Sequence, residues 1–167
     1  AICNWCDTDF VGTDGLNGGK YTLDEIVKKV WSIWPSYIPD NPFIVCTGGE
    51  PLLQLDQQFV DKMHTNGFKV AIETNGTCLP PDKIDWICVS PKRNTNLVLQ
   101  TGDELKFIYP QLDFNPQQFE NLNFDHFFIQ PMDGTNYDKN QRMSKEFINN
   151  NPKWKLSLQT HKILGFP

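Results

Sequence analysis

The sequence predicts an α/β fold built on a mostly parallel sheet. Two observations carry that expectation. Apolar runs of strand length alternate with helix-period segments or with polar connections too long for tight hairpins. Nearly every run then closes on Gly, Pro or a hydrogen-bonding side chain.

The elements follow in order. Thr22 with Glu25 three residues on forms a capping box, and Leu23, Ile26, Val27, Val30, Ile33 and Trp34 recur at helical spacing up to Pro35. Phe43 to Thr47 reads as a short buried strand ended by Gly48 and Gly49. Leu52 to Asn66 reads as a helix with Gly67 as its C-terminal cap. Lys69 to Thr74 is a strand stopped by Asn75-Gly76, and Ile84 to Val89 is another, stopped by Ser90-Pro91. Glu104 to Tyr109 and His126 to Gln130 are two more, each followed by a proline. Asn136 to Asn149 is a polar helix with Phe147 and Ile148 expected inward, and Trp154 to Thr160 alternates as a last strand. Right-handed crossovers are the rule for such connections.

Composition narrows the function classes. The chain has 167 residues, 39% of them hydrophobic, with 11 Gly and 12 Pro, which suits one domain and excludes collagen-like or disordered chains. A net charge of −5 argues against a nucleic-acid partner, because neutralising phosphates needs a basic surface. No apolar run approaches the ~18 residues of a membrane span. Five cysteines do not make a closed disulfide framework, so the cytoplasm is the expected compartment. Cys46 and Cys88 lie in apolar runs and read as inert core residues. Trp31, Trp34 and the Phe127-Phe128 pair read as core or interface, and Asp82 with Asp85 as a solvated face.

In parallel α/β folds ligands gather at the carboxyl ends of strands. Those ends carry Thr47-Gly48-Gly49-Glu50, Glu73-Thr74-Asn75-Gly76, Ser90-Pro91-Lys92, Gln130-Pro131-Met132-Asp133 and Gln159-Thr160-His161. Polar residues close most strands for structural reasons alone, but five such ends together look like the rim of a site. The glycines before Glu50 let a backbone approach a ligand, and the carboxylate can receive an ammonium group; equally, this is a tight strand-to-helix turn. It is not a phosphate loop, since it lacks G-K-[ST]. Glu73 and Asn75, two apart, can read the edge of a heterocycle if the strand continues, or simply end it. Lys92 can face a carboxylate or solvent, and His161 can be a base, a ligand or a surface residue. Cys3-Asn4-Trp5-Cys6 can be a redox pair, half a zinc site or part of an iron–sulfur site.

In combination and in this order, these pieces resemble radical S-adenosylmethionine enzymes. Cys3-Asn4-Trp5-Cys6 is similar to the end of the C-x-x-x-C-x-Φ-C cluster motif, and Gly48-Gly49-Glu50-Pro51 to the GGEP motif. CDTDFVGTDG, TGGEPLLQ, ETNGT, DWICVSPK, GDELK, QPMDG and SLQTHK together resemble the 7-carboxy-7-deazaguanine synthase family over nearly the whole chain.

The resemblance implies a modified, partial β/α barrel with some helices shortened. It implies a [4Fe–4S] cluster, S-adenosylmethionine and Mg²⁺, acting on 6-carboxy-5,6,7,8-tetrahydropterin by a radical ring contraction that loses ammonia. Cys3 and Cys6 would hold the cluster and Thr8 the Mg²⁺. Asp7, Gly49, Glu50, Ser90, Pro91, Lys92, Gln130, Pro131, Met132 and Asp133 would meet S-adenosylmethionine. Thr47, Glu73, Asn75, His161 and Pro167 would face the pterin, Pro167 through a terminal carboxylate, with Glu73 and His161 orienting the substrate. A homodimer and an electron donor such as flavodoxin are implied as well. Two other readings stay open: another radical S-adenosylmethionine enzyme such as a glycyl-radical activase, and a non-catalytic metal- or S-adenosylmethionine-binding module.

One departure stands out. A cluster that leaves one iron for S-adenosylmethionine needs three cysteines, and only two stand in the expected loop. The third cysteine and the first strand are therefore expected upstream of Ala1. On that expectation the 167-residue chain reconstitutes iron poorly and turns over no pterin. Anaerobic reconstitution followed by visible absorbance and product analysis checks this, and robust deazaguanine production by this chain alone would overturn it.

Overall fold

The computed structural model describes residues 18–35, 37–38 and 41–165. Its strands are β1 (Phe43–Cys46), β2 (Lys69–Thr74), β3 (Trp86–Val89), β4 (Thr101–Tyr109), β5 (Asn123–Pro131) and β6 (Trp154–Leu156), and its helices α1 (Leu23–Ile33), α2 (Gln57–Thr65), α3 (Tyr137–Asn150) and α4 (Thr160–Leu164). The strands form a six-stranded sheet in sequence order, with β1 and β6 at its edges. The pairings of β1 with β2, β3 with β4, β4 with β5 and β5 with β6 are all parallel. The expected parallel α/β architecture is therefore present. Among the described connections between successive strands, α2 fills one and α3 another, while the rest are loops or a single 3-10 turn, in line with shortened helices.

The described residues fall into two compact units. One holds the residues up to Thr74 together with Cys78–Ile87; the other holds Asn75–Thr77 and the residues from Cys88 onward.

In the first unit, α1 starts as its sequence dictates. Thr22 Oγ1 accepts from the Glu25 N–H at 3.3 Å, and the Glu25 carboxylate accepts from the Thr22 N–H at 2.7 Å. The core gathers Val27, Met63, Phe68 and Val70, with Ile26, Val30, Ile44, Leu55, Phe59 and Ile84 packed around them. Trp31 lies 5.0 Å from Phe68, ring to ring, while keeping one side exposed.

The expected helix from Leu52 to Asn66 is instead a 3-10 turn at Pro51–Leu53, a break, and then α2. Asp56 is the reason: its carboxylate accepts from the Phe59 N–H at 2.9 Å and so starts a new helix. Strand β3 starts at Trp86 rather than Ile84. Lys83 takes a left-handed φ of 63°, and Asp85 serves as a clip instead of a solvated face. Its N–H donates to Val70 O at 2.8 Å. Its Oδ2 accepts from the Val70 N–H at 2.8 Å and bonds His64 Nε2 at 2.7 Å.

In the second unit, aromatic side chains dominate. Phe107 and Phe127 are buried, with Phe114 5.0 Å and Phe119 5.9 Å from Phe107, and Trp154 5.3 Å from Phe127. Trp154 donates its indole N–H to Glu120 Oε1 at 2.7 Å. Phe127 is core as expected, whereas Phe128 is half-buried. Strands β4 and β5 extend further back than their apolar runs suggest, because Thr101 pairs with Asn123 and their side chains bond at 3.1 Å. Strand β6 stops at Leu156, where its register with β5 ends, and the chain turns into α4 instead of continuing to Thr160. On α3 the buried residues are Asn140 and Ser144, with Phe147 and Ile148 only half-buried.

Asp85 makes stability depend on pH. Burial alone would raise its pKa, but the Val70 N–H, the His64 bond and the charges of His64 and Lys69 together hold it below the ordinary 3.8. A carboxylate lowered on folding adds stability that is fully present above its unfolded value and is lost as pH falls through the folded one. Asp85→Asn is expected to lower stability at neutral pH and to flatten the acid limb of a urea-denaturation series. An unchanged acid limb would show that this carboxylate is not linked to folding.

Candidate functional site at the strand ends

In the first unit the site-bearing segments follow β1 and close β2. Thr47 is exposed just past β1. Gly48 has φ 115°, a conformation open to glycine, and among the described residues, its chain neighbours aside, no atom lies within 4 Å of where a Cβ would stand. The backbone before exposed Gly49 is thus open to a close-lying ligand. Glu50 caps the 3-10 turn through Leu52 N–H at 3.2 Å, and the same Oε1 accepts from Thr74 Oγ1 at 2.6 Å. Thr74 is 2% exposed, whereas its neighbour Glu73 is half-buried. A carboxylate fixed in this way beside an open glycine turn fits the amino group of an amino-acid-like ligand.

In the second unit the ends of β3, β5 and β6 carry the remaining residues. The Asn75 side chain is taken up by its own turn, its Oδ1 accepting from the Thr77 N–H at 2.9 Å. Because β2 ends at Thr74, the strand alternation used to pair Glu73 with Asn75 stops one residue short. Gly76 O accepts from both Val98 and Leu99 N–H, at 2.9 and 3.0 Å. Ser90 and Pro91 are buried, and Lys92 Nζ donates to Ser90 Oγ at 2.6 Å. Gln130 is half-buried and Pro131 ends β5. The next turn is tied at both ends of Met132, whose N–H donates to Tyr109 O at 2.7 Å and whose carbonyl accepts from Asn140 Nδ2 at 2.9 Å. Asp133 accepts from the Gly134 N–H at 2.8 Å and forms an ion pair with Lys162. His161 lies on α4, one residue before Lys162.

Cys3, Cys6, Asp7, Thr8 and Pro167 lie outside the described residues. Among the described residues no group of three or more His, Cys, Asp or Glu is placed to hold a metal ion. No described helix is long and apolar enough to cross a membrane. Cys88 is buried as expected; Cys46 is only half-buried, yet burial still pushes its thiol up to about 11.

The structure also brings forward residues the sequence does not single out. Thr74 and Lys162 lie inside the ETNGT and SLQTHK blocks, and only their partners reveal them. After β4, a groove of about 600 Å³ is lined by Tyr109, Gln111, Asn115, Gln117 and Phe147 among others. Burial, and then the Glu146 charge, raise the Tyr109 pKa above its ordinary value.

The chain is 48% identical over 168 residues to the 7-carboxy-7-deazaguanine synthase of Caulobacter vibrioides, covering all of this chain and 80% of that protein. The figures for the Burkholderia multivorans synthase are the same. The Bacteroides thetaiotaomicron synthase is 37% identical over 162 residues, covering 97% of this chain and 80% of the relative.

The chain belongs to the 7-carboxy-7-deazaguanine synthase family.

No protein-family model matches it. The crystal structure of QueE from Escherichia coli superposes with a TM-score of 0.62 at 22% identity, over 83% of this chain and 64% of that one. That likeness concerns the fold alone, and it agrees with the open parallel sheet.

Gly76 gives the strand-end turns of this family member a measurable signature. A Cβ there would stand 2.5 Å from Leu97 Cδ1 and 2.9 Å from Val89 Cγ1, at φ 76°. Gly67, after α2, has φ 82°, but a Cβ there would meet nothing within 4 Å among the described residues. Gly76→Ala is expected to cost about 2–4 kcal/mol, strain plus overpacking, and Gly67→Ala about 1–2 kcal/mol, strain alone. Equal losses in urea denaturation would contradict the packing at Gly76.

Proposed function

We propose that this protein, at the full length of its relatives, catalyses the radical-mediated ring contraction of 6-carboxy-5,6,7,8-tetrahydropterin to 7-carboxy-7-deazaguanine, with loss of ammonia, in the making of queuosine precursors. The observation that carries this is the 48% identity, running through the whole chain, to synthases named for that product. A [4Fe–4S] cluster with S-adenosylmethionine supplies the carbon-centred radical chemistry when bound.

On this reading, the protein's own residues hold and orient the reactants. Cys3 and Cys6 supply thiolates to the cluster, and the Thr8 hydroxyl suits Mg²⁺, a hard cation. Glu50 takes the methionine ammonium, a role its fixed carboxylate beside open Gly48 supports. Asp7, Gly49, Ser90, Pro91, Lys92 and the Gln130 to Asp133 turn line the rest of that cofactor's site. Thr47, Glu73, Asn75, His161 and Pro167 face the pterin, where carboxylate and amide groups match the ring's alternating donors and acceptors. We also assign the chain to the cytoplasm as a homodimer that receives electrons from a donor such as flavodoxin.

The test is anaerobic reconstitution of the protein at the full length of its relatives, followed by product analysis with the pterin, S-adenosylmethionine, Mg²⁺ and a reductant. Formation of 7-carboxy-7-deazaguanine is expected. Glu73→Ala is expected to lower kcat/KM for the pterin at least about tenfold, with S-adenosylmethionine affinity unchanged. Cleavage of S-adenosylmethionine without pterin conversion would overturn the substrate, and a protein that binds no iron would overturn the reaction.

A further inference from the structure

We infer that Thr74 is a positioning residue for S-adenosylmethionine: its buried hydroxyl sets the Glu50 carboxylate in the orientation that receives the methionine ammonium. The inference deepens the proposed function and rests on its assignment of Glu50.

The argument starts from strand alternation. Side chains along β2 turn to opposite faces, so Glu73 and Thr74 do not share one. Glu73 stays half-buried while Thr74 is 2% exposed. A hydroxyl buried that deeply needs a partner, since an unmade hydrogen bond there is costly. The Thr74 hydroxyl donates to Glu50 Oε1, 2.6 Å away across 24 residues of sequence. This distance is typical of an O–H donor on a carboxylate, the stronger class of hydrogen bond.

The same oxygen accepts from the Leu52 N–H at 3.2 Å. One donor is backbone at the start of a 3-10 turn; the other is the last residue of the neighbouring parallel strand. Two donors from different elements, converging on one oxygen, fix both the position and the rotation of the carboxylate. Glu50 follows two glycines, one at φ 115°, so the backbone before it is of the freest kind. A carboxylate left to rotate would have to be ordered at each binding event, and that ordering reduces affinity. The bond from Thr74 lowers that cost beforehand. A threonine suits the place because its methyl fills buried space while its hydroxyl donates; valine keeps the shape and loses the bond, and serine keeps the bond.

The test uses the protein at the full length of its relatives, reconstituted anaerobically, with Thr74→Val, Thr74→Ser, Glu50→Ala and the Glu50→Ala/Thr74→Val double variant. Two probes are titrated: S-adenosylmethionine, and methylthioadenosine, which lacks the amino-acid part. Thr74→Val is expected to weaken S-adenosylmethionine binding about tenfold and to leave methylthioadenosine binding unchanged. Thr74→Ser is expected to restore most of the affinity. The double variant is expected to bind no more weakly than Glu50→Ala, because a residue acting only through another adds nothing once that other is gone.

Thermal unfolding without ligand is followed for every variant. A lower melting temperature for Thr74→Val with unchanged S-adenosylmethionine affinity would overturn the inference in favour of a purely structural threonine. Equal weakening toward both probes would overturn it too. Should Glu50→Ala leave S-adenosylmethionine affinity intact, the assignment of Glu50 fails, and the inference falls with it. A weakened Glu50→Ala beside a normal Thr74→Val would sink the inference alone.

Discussion

Parallel pairing is the constraint from which the rest of this structure follows. Parallel neighbours cannot be joined by two-residue hairpins, so each strand must hand the chain to a connection that carries it back before the next begins. Within each unit, strand ends and the starts of connections therefore coincide. At those points the backbone loses its ladder partners and must find others. Here Glu50, Asn75, Asp133 and Asn140 supply side-chain partners, and Gly76 supplies a carbonyl that takes two N–H groups. The residues that end strands are thus already polar and already organised, which is the state a binding site requires.

Economy in the connections has a further effect. With an α-helix in only two of the described strand-to-strand connections, the others are held by single side chains rather than by a packed helix face. Asp85 shows how much one residue then does: it closes the approach to β3, completes the start of β2 and bonds the last turn of α2 through His64. In the other unit Asn140 has a similar task, reaching from α3 to the carbonyl of Met132.

What could be read from the sequence was local. Thr22 and Glu25 predict their helix start because both halves of the capping box lie within one turn. Strand β2 has an apolar centre in Val70, Ala71 and Ile72, and β1 is short but closed at its carboxyl end by Gly48 and Gly49. The strand-end residues were legible as a set because parallel topology collects them, and family motifs attached chemistry to each. What escaped depends on partners far along the chain. Asp85 looks like one more surface acid until Val70, 15 residues back, is seen to bond it. Asp56 looks like the interior of a helix until its carboxylate meets Phe59 N–H. The front halves of β4 and β5 are polar, and only their mutual register makes them strand. Thr74 lies between Glu73 and Asn75 with nothing local to mark it, and it is the Glu50 carboxylate, 24 residues back, that gives its hydroxyl a role.

The Cys46 thiol has a consequence for cluster chemistry at the bench. With its pKa pushed up to about 11, on the order of one molecule in ten thousand carries a thiolate there at neutral pH. Cys88, with 1% of its surface exposed, is shielded by burial itself. Ferrous iron and alkylating reagents both need an ionised, reachable sulfur. Two of the five cysteines are therefore nearly silent toward such reagents in the folded protein, and a thiol count taken before and after denaturation would separate them from the rest.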